Sequence, residues 1–235
     1  MLSNNKTFTK ENLDQILNEL SKEYKKLGGR KIPVEIVLIG GAAIISNYGF
    51  REMTSDVDAI LSSGLIMKEA INSVGDRLNL PNNWLNSDFT KTSSYSTKII
   101  QYSVPYKTFN QVLHVRILNG AHLIAMKLMS GRKYKNDLSD IVGILDEHQK
   151  NNREITLEMI DRAVHELYGG WDDIPKDSAE FINSIMKNRN YEKVFLQIRK
   201  SEQQSREVIL ESQKANPSSS TASKEAVINQ LKKLK

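Results

Sequence analysis

Two aspartates, Asp56 and Asp58, are spaced so that they could bind one cation together. They lie in a predicted strand, and alternate side chains of a strand point to the same side of the sheet. Carboxylates held that close repel each other, which raises a pKa or demands a cation. Hard oxygen ligands suit Mg²⁺, which typically takes one or two carboxylates together with substrate phosphates. The pair therefore predicts a magnesium site for phosphoryl chemistry, with Mn²⁺ as the alternative ion.

Two glycines, Gly40 and Gly41, precede the aspartates and follow a predicted buried strand over residues 34–39. A short apolar helix is predicted over residues 42–48. Because glycine has no side chain, the backbone N–H groups at the start of this helix can approach a phosphate closely. A glycine pair alone is also typical of a simple turn, and an Asp-x-Asp alone is typical of an exposed strand. Their combination in one strand–helix–strand unit is much more specific.

The remaining chain supplies the elements that must position this unit. Hydrophobic periodicity predicts helices over residues 9–27, 65–80, 121–131, 137–145, 155–168, 178–187 and 191–214. Two further strands are predicted over residues 98–105 and 112–118, joined as a hairpin. Residues 84–96 are predicted to be either a long loop or a short edge strand. Together these elements favour a mixed α/β (α+β) fold, in which a small mixed sheet is flanked by helices and followed by a helical C-terminal region.

The chain of 235 residues is long enough for one ordinary domain with an appendage. We predict a core over residues 1–150, a helical region over residues 151–214, and a flexible linker with a short basic helix over residues 215–235. The net charge of +5 lies entirely in residues 176–235. This basic segment could contact nucleic acid, but for so modest an excess a solvated helical face is the favoured interpretation.

Composition also limits where the protein can act. The sequence contains no apolar stretch that approaches a membrane span, and its N-terminus lacks a signal-peptide pattern. It contains no cysteine, which excludes disulfides and thiolate chemistry. The sequence therefore predicts a soluble cytoplasmic protein without a membrane partner.

A second group of charged residues surrounds Lys127, which lies in an otherwise apolar predicted helix. A buried lysine needs a carboxylate partner or a bound anion, unless its side chain extends to solvent from the helix edge. Arg132 follows closely, and Asp137 and Asp140 share one face of the next helix because they are three residues apart. Asp137 could instead serve only to cap that helix.

The motif Gly40-Gly41, with Arg51-x-x-Thr54-Ser55-Asp56-Val57-Asp58 after it, resembles the signature of the nucleotidyltransferase superfamily, which has the DNA polymerase β-like fold. Its form is most similar to the minimal nucleotidyltransferases of the abortive-infection (AbiEii-like) toxin branch. The run over residues 123–141 is similar to the second half of that branch's signature. There a helical lysine approaches the nucleotide phosphates and a later aspartate supports the site. Lys127 matches the lysine, and either Asp137 or Asp140 matches the aspartate.

This resemblance implies transfer of a nucleoside monophosphate from a nucleoside triphosphate to an acceptor hydroxyl. It implies that the catalytic residues are Asp56, Asp58, Lys127 and Asp140, with Asp56 and Asp58 as the metal ligands. It implies that the nucleotide is bound by Gly40, Gly41, Arg51, Thr54, Lys127, Arg132 and Asp137. Arg51 and Thr54 would mainly brace the motif loop, and Arg132 would pair with an aspartate. An RNA acceptor such as a transfer RNA end, and a cognate antitoxin protein, would be the partners of such a toxin.

The second predicted hairpin strand departs from the pattern of many active nucleotidyltransferases. That strand commonly supplies a third metal-binding carboxylate, but here it contains His114 and Arg116 instead. The departure would fit a degenerate nucleotidyltransferase that binds a nucleotide or a protein. A further alternative, which rests on the fold that the resemblance implies, is a nucleotidyltransferase that modifies a small molecule such as an antibiotic.

Overall fold

The computed structural model describes residues 7–61, 64–132 and 136–215, so the predicted linker and basic helix after residue 215 lie outside the described residues. Five strands are described: β1 (Val34–Leu38), β2 (Val57–Leu61), β3 (Leu85–Asn86), β4 (Ser103–Phe109) and β5 (Leu113–Leu118). Eight α-helices are described: α1 (Lys10–Lys26), α2 (Gly40–Asn47), α3 (Leu65–Leu78), α4 (Gly120–Ser130), α5 (Asp137–Lys150), α6 (Leu157–Tyr168), α7 (Lys176–Asn188) and α8 (Tyr191–Ala215). The predicted mixed α/β class is confirmed.

The strands form one mixed sheet in the order β3-β2-β1-β5-β4. The central strand β1 pairs antiparallel with β2 and parallel with β5. The outer strand β3 is parallel to β2, whereas β4 is antiparallel to β5. Apart from Glu35, strand β1 is apolar and buried, and it has a neighbouring strand on each side.

The strand registers assign Asp58 to one face of the sheet. Val37 of β1 lies opposite both Ile60 of β2 and Arg116 of β5, so these three residues share a face. Asp58 is two residues before Ile60 and therefore lies on the same face. The opposite face carries the neighbouring residues of β1, including Ile36, and is apolar on β1, β2 and β5, with Lys107 of β4 at its edge. Alternation along β2 thus directs Val57 and Ala59 into the core, as predicted, and leaves Asp58 on the other face.

The predicted strand over residues 98–105 is wrong in its bounds. Residues Thr97–Ile100 form a 3₁₀-helix whose start is capped by the Ser96 hydroxyl, which accepts a hydrogen bond from Lys98 N. The strand begins only at Ser103, and a register shift separates Pro105 from Lys107. β4 and β5 form the predicted hairpin. The earlier stretch over residues 84–96 contains the short edge strand β3, which is one of the two predicted alternatives.

The C-terminal helices pack directly on the helices of the predicted core. Helix α4 is buried on nearly all sides and packs against α5, α6 and α7, while α8 packs along α5. The predicted domain boundary at residue 150 stays a prediction. Among the described residues, no helix combines the length and the apolar character that crossing a membrane requires.

Candidate functional site

The carboxylate of Asp58 lies beside the first turn of α2. Ile39 N donates a hydrogen bond to Asp58 O at 3.0 Å, which ties the end of β1 to the start of β2. Gly40 adopts a left-handed φ of +57°, and a Cβ there would lie 3.4 Å from Asp58 Oδ2. No side chain caps α2, because the residue before it is Ile39. The N–H groups of its first turn and the positive end of its dipole therefore lie next to the aspartate.

Asp56 is exposed and is oriented by the two residues before it. Its Oδ1 accepts a hydrogen bond from Thr54 Oγ1 at 3.3 Å and lies 3.5 Å from the hydroxyl of Ser55. Thr54 is buried, and its backbone forms two hydrogen bonds with Phe8, from Phe8 N at 2.7 Å and to Phe8 O at 2.9 Å. The segment before α1 thus fixes Thr54, which in turn fixes the exposed carboxylate.

Gly41 allows this loop to pack against α2. A Cβ at Gly41 would lie 2.4 Å from Thr54 Oγ1 and 2.9 Å from Arg51 Nη2, both too close for a side chain. Arg51 also donates from Nε to Met53 O at 3.1 Å. The second glycine of the motif is therefore required by the close approach of Thr54 and Arg51.

A buried chain of ion pairs links this loop to α4 and α5. Arg51 Nη1 lies 2.8 Å from Asp140 Oδ2, and Lys127 Nζ lies 2.8 Å from the same oxygen. Lys127 Nζ also lies 2.8 Å from Asp137 Oδ1, and Arg132 Nε lies 2.9 Å from Asp137 Oδ2. We call these five residues the ion network. Both aspartates are fully buried and Lys127 is 5% exposed.

The ion network keeps Lys127 and Asp137 charged. Burial alone would lower the pKa of Lys127, but the carboxylates of Asp140 and Asp137 outweigh burial and raise it. Burial alone would raise the pKa of Asp137, but Lys127 and Arg132 hold it well below its usual range. The Lys127 ammonium therefore has two carboxylate partners inside the protein, and its predicted contact with a nucleotide phosphate stays a prediction. Arg132 forms the predicted type of pair, with Asp137.

The donor set at Asp56 and Asp58 fits Mg²⁺ held jointly with a nucleotide. Both side chains offer hard oxygen ligands, and the exposed Asp56 leaves room for phosphate oxygens. Within the described ranges, no group of three or more His, Cys, Asp or Glu side chains could hold a metal alone. On the same sheet face, β5 presents Arg116, whose Nε donates to Ser103 Oγ at 2.7 Å. Two carboxylates plus substrate phosphates suffice for a magnesium ion that enters with its nucleotide.

The structure brings the predicted residues into two connected groups. Gly40, Gly41, Thr54 and Asp58 meet at the first turn of α2, and Asp56 is linked to them through Thr54. The ion network is the second group, and Arg51 connects the two. Two features were missed from sequence: the direct pairing of Arg51 with Asp140, and a buried carboxyl of α8, Glu202. The only signal for Glu202 was its place on the apolar stripe of Phe195 and Ile198.

The family assignment agrees with this geometry. The model of a family described as nucleotidyltransferase of unknown function (DUF6036) matches residues 15–166. The chain belongs to this family. Membership in this nucleotidyltransferase family supports the superfamily indicated by the motifs and implies a nucleotide substrate, but it does not distinguish the toxin branch. No curated protein and no solved structure matches the chain significantly. The matched range contains both aspartates of the motif and the whole ion network, and ends before α7 and α8.

The close contact at Gly41 generates a first prediction. Gly41→Ala should displace Thr54 and Arg51, and should destabilise the protein by about 1–3 kcal/mol, as overpacked sites do. Urea unfolding measures this loss. Gly49→Ala is the matched control, since a Cβ there would meet only Glu147 Oε2 at 3.9 Å. Equal stability of the two variants would contradict the assigned role of Gly41.

The ion network generates a second prediction. Lys127→Met leaves two buried carboxylates without their shared cation and should cost about 3–5 kcal/mol at pH 7. Because the native pKa of Asp137 is depressed, its stabilising contribution is present above the unfolded pKa and is lost as the pH falls through the native value. The difference in free energy of unfolding between the wild type and Lys127→Met should therefore become smaller at acid pH. Lys22→Met, which removes an exposed pair with Glu19, should cost less than about 1 kcal/mol.

Proposed function

We propose that this protein is a Mg²⁺-dependent nucleotidyltransferase. The acceptor hydroxyl oxygen attacks the α-phosphorus of a nucleoside triphosphate and forms a new P–O bond. The bond from that phosphorus to the bridging oxygen breaks, pyrophosphate leaves, and the hydroxyl proton passes to water. Catalysis of this kind rests mainly on positioning and on neutralising charge.

One observation carries the proposal: the Asp58 carboxylate lies beside the first turn of α2, and Thr54, which packs on the same turn at Gly41, holds the Asp56 carboxylate. The carboxylates offer ligands for a cation, and the N–H groups of the turn offer donors to phosphate oxygens. When bound, Mg²⁺ would supply positive charge to the phosphates. Asp56 and Asp58 are the residues that would hold it. Gly40 keeps a side chain away from the space beside Asp58, in which the triphosphate would lie, and Gly41 lets Thr54 pack on the same turn and offers its backbone to the nucleotide.

Other residues serve the reaction through the loop before Asp56. Thr54 orients Asp56 by a hydrogen bond, and Arg51 ties the loop to Asp140. In this proposal, Lys127 contributes positive potential toward the phosphates from within the ion network, together with Arg132. Asp137 and Asp140 keep those cations in place.

For the acceptor, we propose an RNA hydroxyl such as that of a transfer RNA end. The support is the resemblance of two motif segments to the abortive-infection branch. The same resemblance supports action as a toxin controlled by a cognate antitoxin protein. An antibiotic acceptor is less favoured, because residues 1–175 carry no net charge. A polycationic drug would be better bound by a strongly acidic pocket.

A second candidate is a degenerate nucleotidyltransferase that binds a nucleotide without transferring it. The observation that favours it is Arg116, which occupies the face of β5 where a third carboxylate would complete the metal site. Nucleotide binding without transfer to any acceptor would support this candidate over the enzyme.

The proposal predicts that transfer depends on both motif aspartates. Purified protein is incubated with Mg²⁺, total cellular RNA and each of the four α-labelled nucleoside triphosphates. Label should enter RNA with the wild type, whereas Asp56→Asn/Asp58→Asn should lose at least about a hundredfold in rate, as expected when charge stabilisation of the reacting phosphate is removed. Label transfer that survives in the double variant would refute the mechanism.

Two controls make this result interpretable. Asp173→Asn changes an exposed aspartate remote in sequence from the motif and should transfer label like the wild type. If no label enters RNA, calorimetric titration with Mg²⁺ and nucleotide shows whether the protein still binds a nucleotide. Binding by the wild type but not by the double variant would favour the non-transferring candidate or a small-molecule acceptor, and growth with aminoglycosides would test the latter.

A further inference from the structure

Helix α8 lies beyond the matched family range, yet it reaches the ion network. Phe195, Ile198 and Glu202 are spaced by three and four residues, so they form one stripe along the helix. Phe195 and Ile198 pack against the hydrophobic core. Glu202 continues the same stripe and is only 3% exposed. A carboxyl at this position needs a specific partner, because burial of an unpaired carboxylate is costly.

Glu202 caps helix α5 from outside. Its Oε1 accepts a hydrogen bond from Ser139 N at 3.1 Å, in the first turn of that helix. Asn136, which precedes the helix, makes no side-chain capping hydrogen bond there. An N–H group in the first turn of a helix needs an acceptor other than the helix backbone. Glu202 thus performs, from a distant helix, the role that an N-cap residue usually performs.

The capped turn holds the central carboxylate of the ion network. Asp140 directly follows Ser139 and binds both Arg51 and Lys127 through Oδ2. Among the residues that the structure describes, two buried side-chain atoms lack a hydrogen-bond partner: Asp140 Oδ1 and Glu202 Oε2. Any shift of the first turn of α5 would move Asp140, and through it the guanidinium of Arg51.

A second contact joins α8 to the same loop. The ring of Phe195 meets the ring of Phe50 edge-on, with 5.7 Å between centroids. Phe50 directly precedes Arg51 and packs so closely on α5 that a Cβ at Gly143 would lie 2.5 Å from it. Helix α8 therefore contacts the neighbours of both members of the Arg51–Asp140 pair. Phe195 meets Phe50, which precedes Arg51, and Glu202 meets Ser139, which precedes Asp140.

We propose that Glu202 is a positioning residue for the nucleotide site, and that α8 is part of the functional unit. Glu202 fixes Ser139 and hence Asp140, Asp140 fixes Arg51, and the loop of Arg51 carries Thr54 and Asp56. The consequence for nucleotide binding rests on the proposed function. The mechanical link between α8 and the loop does not, and it can be measured separately.

The charge state of Glu202 fits this role. Burial raises its pKa, the hydrogen bonds with Ser139 lower it, and the charges of Asp140 and Asp137 raise it, so the net shift is upward. A carboxyl with a raised native pKa destabilises the folded state as the pH rises above its unfolded value. Glu202→Gln removes that penalty while it keeps an oxygen acceptor for Ser139 N. Its stability relative to the wild type should therefore increase as the pH rises above about 4, the usual range of a glutamate carboxyl.

Three variants test the link by hydrogen–deuterium exchange of residues 51–56 in the full chain. Glu202→Met keeps the volume of the side chain but withdraws the acceptor, so exchange of this segment should accelerate roughly tenfold, as loss of a modest coupling implies. Glu202→Gln should exchange like the wild type. Glu192→Gln is the matched control, because it changes an exposed carboxyl of the same helix that pairs with Lys150, and it should change nothing.

Unchanged exchange over residues 51–56 in Glu202→Met would overturn the proposal, as would equal acceleration in Glu202→Gln. Should Glu202→Met fail to fold, Glu202→Asn takes its place, since its shorter amide cannot reach Ser139 N from the same backbone position. Calorimetric titration with Mg²⁺ and each nucleoside triphosphate then measures the effect on nucleotide binding. The affinity of Glu202→Met for the nucleotide should be roughly tenfold lower than that of the wild type. If the wild type binds no nucleotide, the proposed function fails, while the exchange result still decides the role of Glu202.

Discussion

The shared carboxylate of Asp140 is the constraint on which the rest of the site depends. One oxygen of this fully buried side chain receives both Arg51 and Lys127. These two cations come from the motif loop and from the central helix α4, which are distant in sequence. Transfer of these two cations and the carboxylate from water to the protein interior has a large desolvation penalty. Their mutual attraction offsets that penalty only when the geometry of the pairs is good. The positions of the loop and of α5 are therefore strongly coupled.

The members of the ion network depend strongly on one another. A well-packed apolar core of the same volume would often be as stable as buried ion pairs, whereas removal of one partner is strongly destabilising. Helix α4 is largely apolar, and its buried His122 pairs with Glu166 of α6 and not with α5. The pairing of Lys127 with both Asp137 and Asp140 fixes its register against α5. The exposed Asp56 and the half-buried Asp58 are thereby attached to elements whose relative positions are fixed.

Most of the fold could be predicted from local patterns, because helical periodicity and β-branched runs depend on near neighbours. The motif residues around α2 were predictable for the same reason, since they lie within one short segment. The partners of Lys127 could be suspected from its apolar surroundings, but the pairing of Arg51 with Asp140 spans 89 residues and depends on tertiary packing. Likewise, the start of β4 was misplaced because the β-branched pair at residues 99–100 favours a strand, while the cap at Ser96 stabilises a 3₁₀-helix.

The register shift in β4 also bears on how the protein behaves at high concentration. β4 is an outer strand of the sheet, and such edges can recruit strands from other molecules and start aggregation. Pro105 has no N–H to offer an incoming strand, and the irregularity between it and Lys107 twists the edge locally. Lys107 adds a charge that an added strand would have to accommodate. The chain thus protects the longest strand of its sheet against intermolecular pairing, at the edge opposite β3.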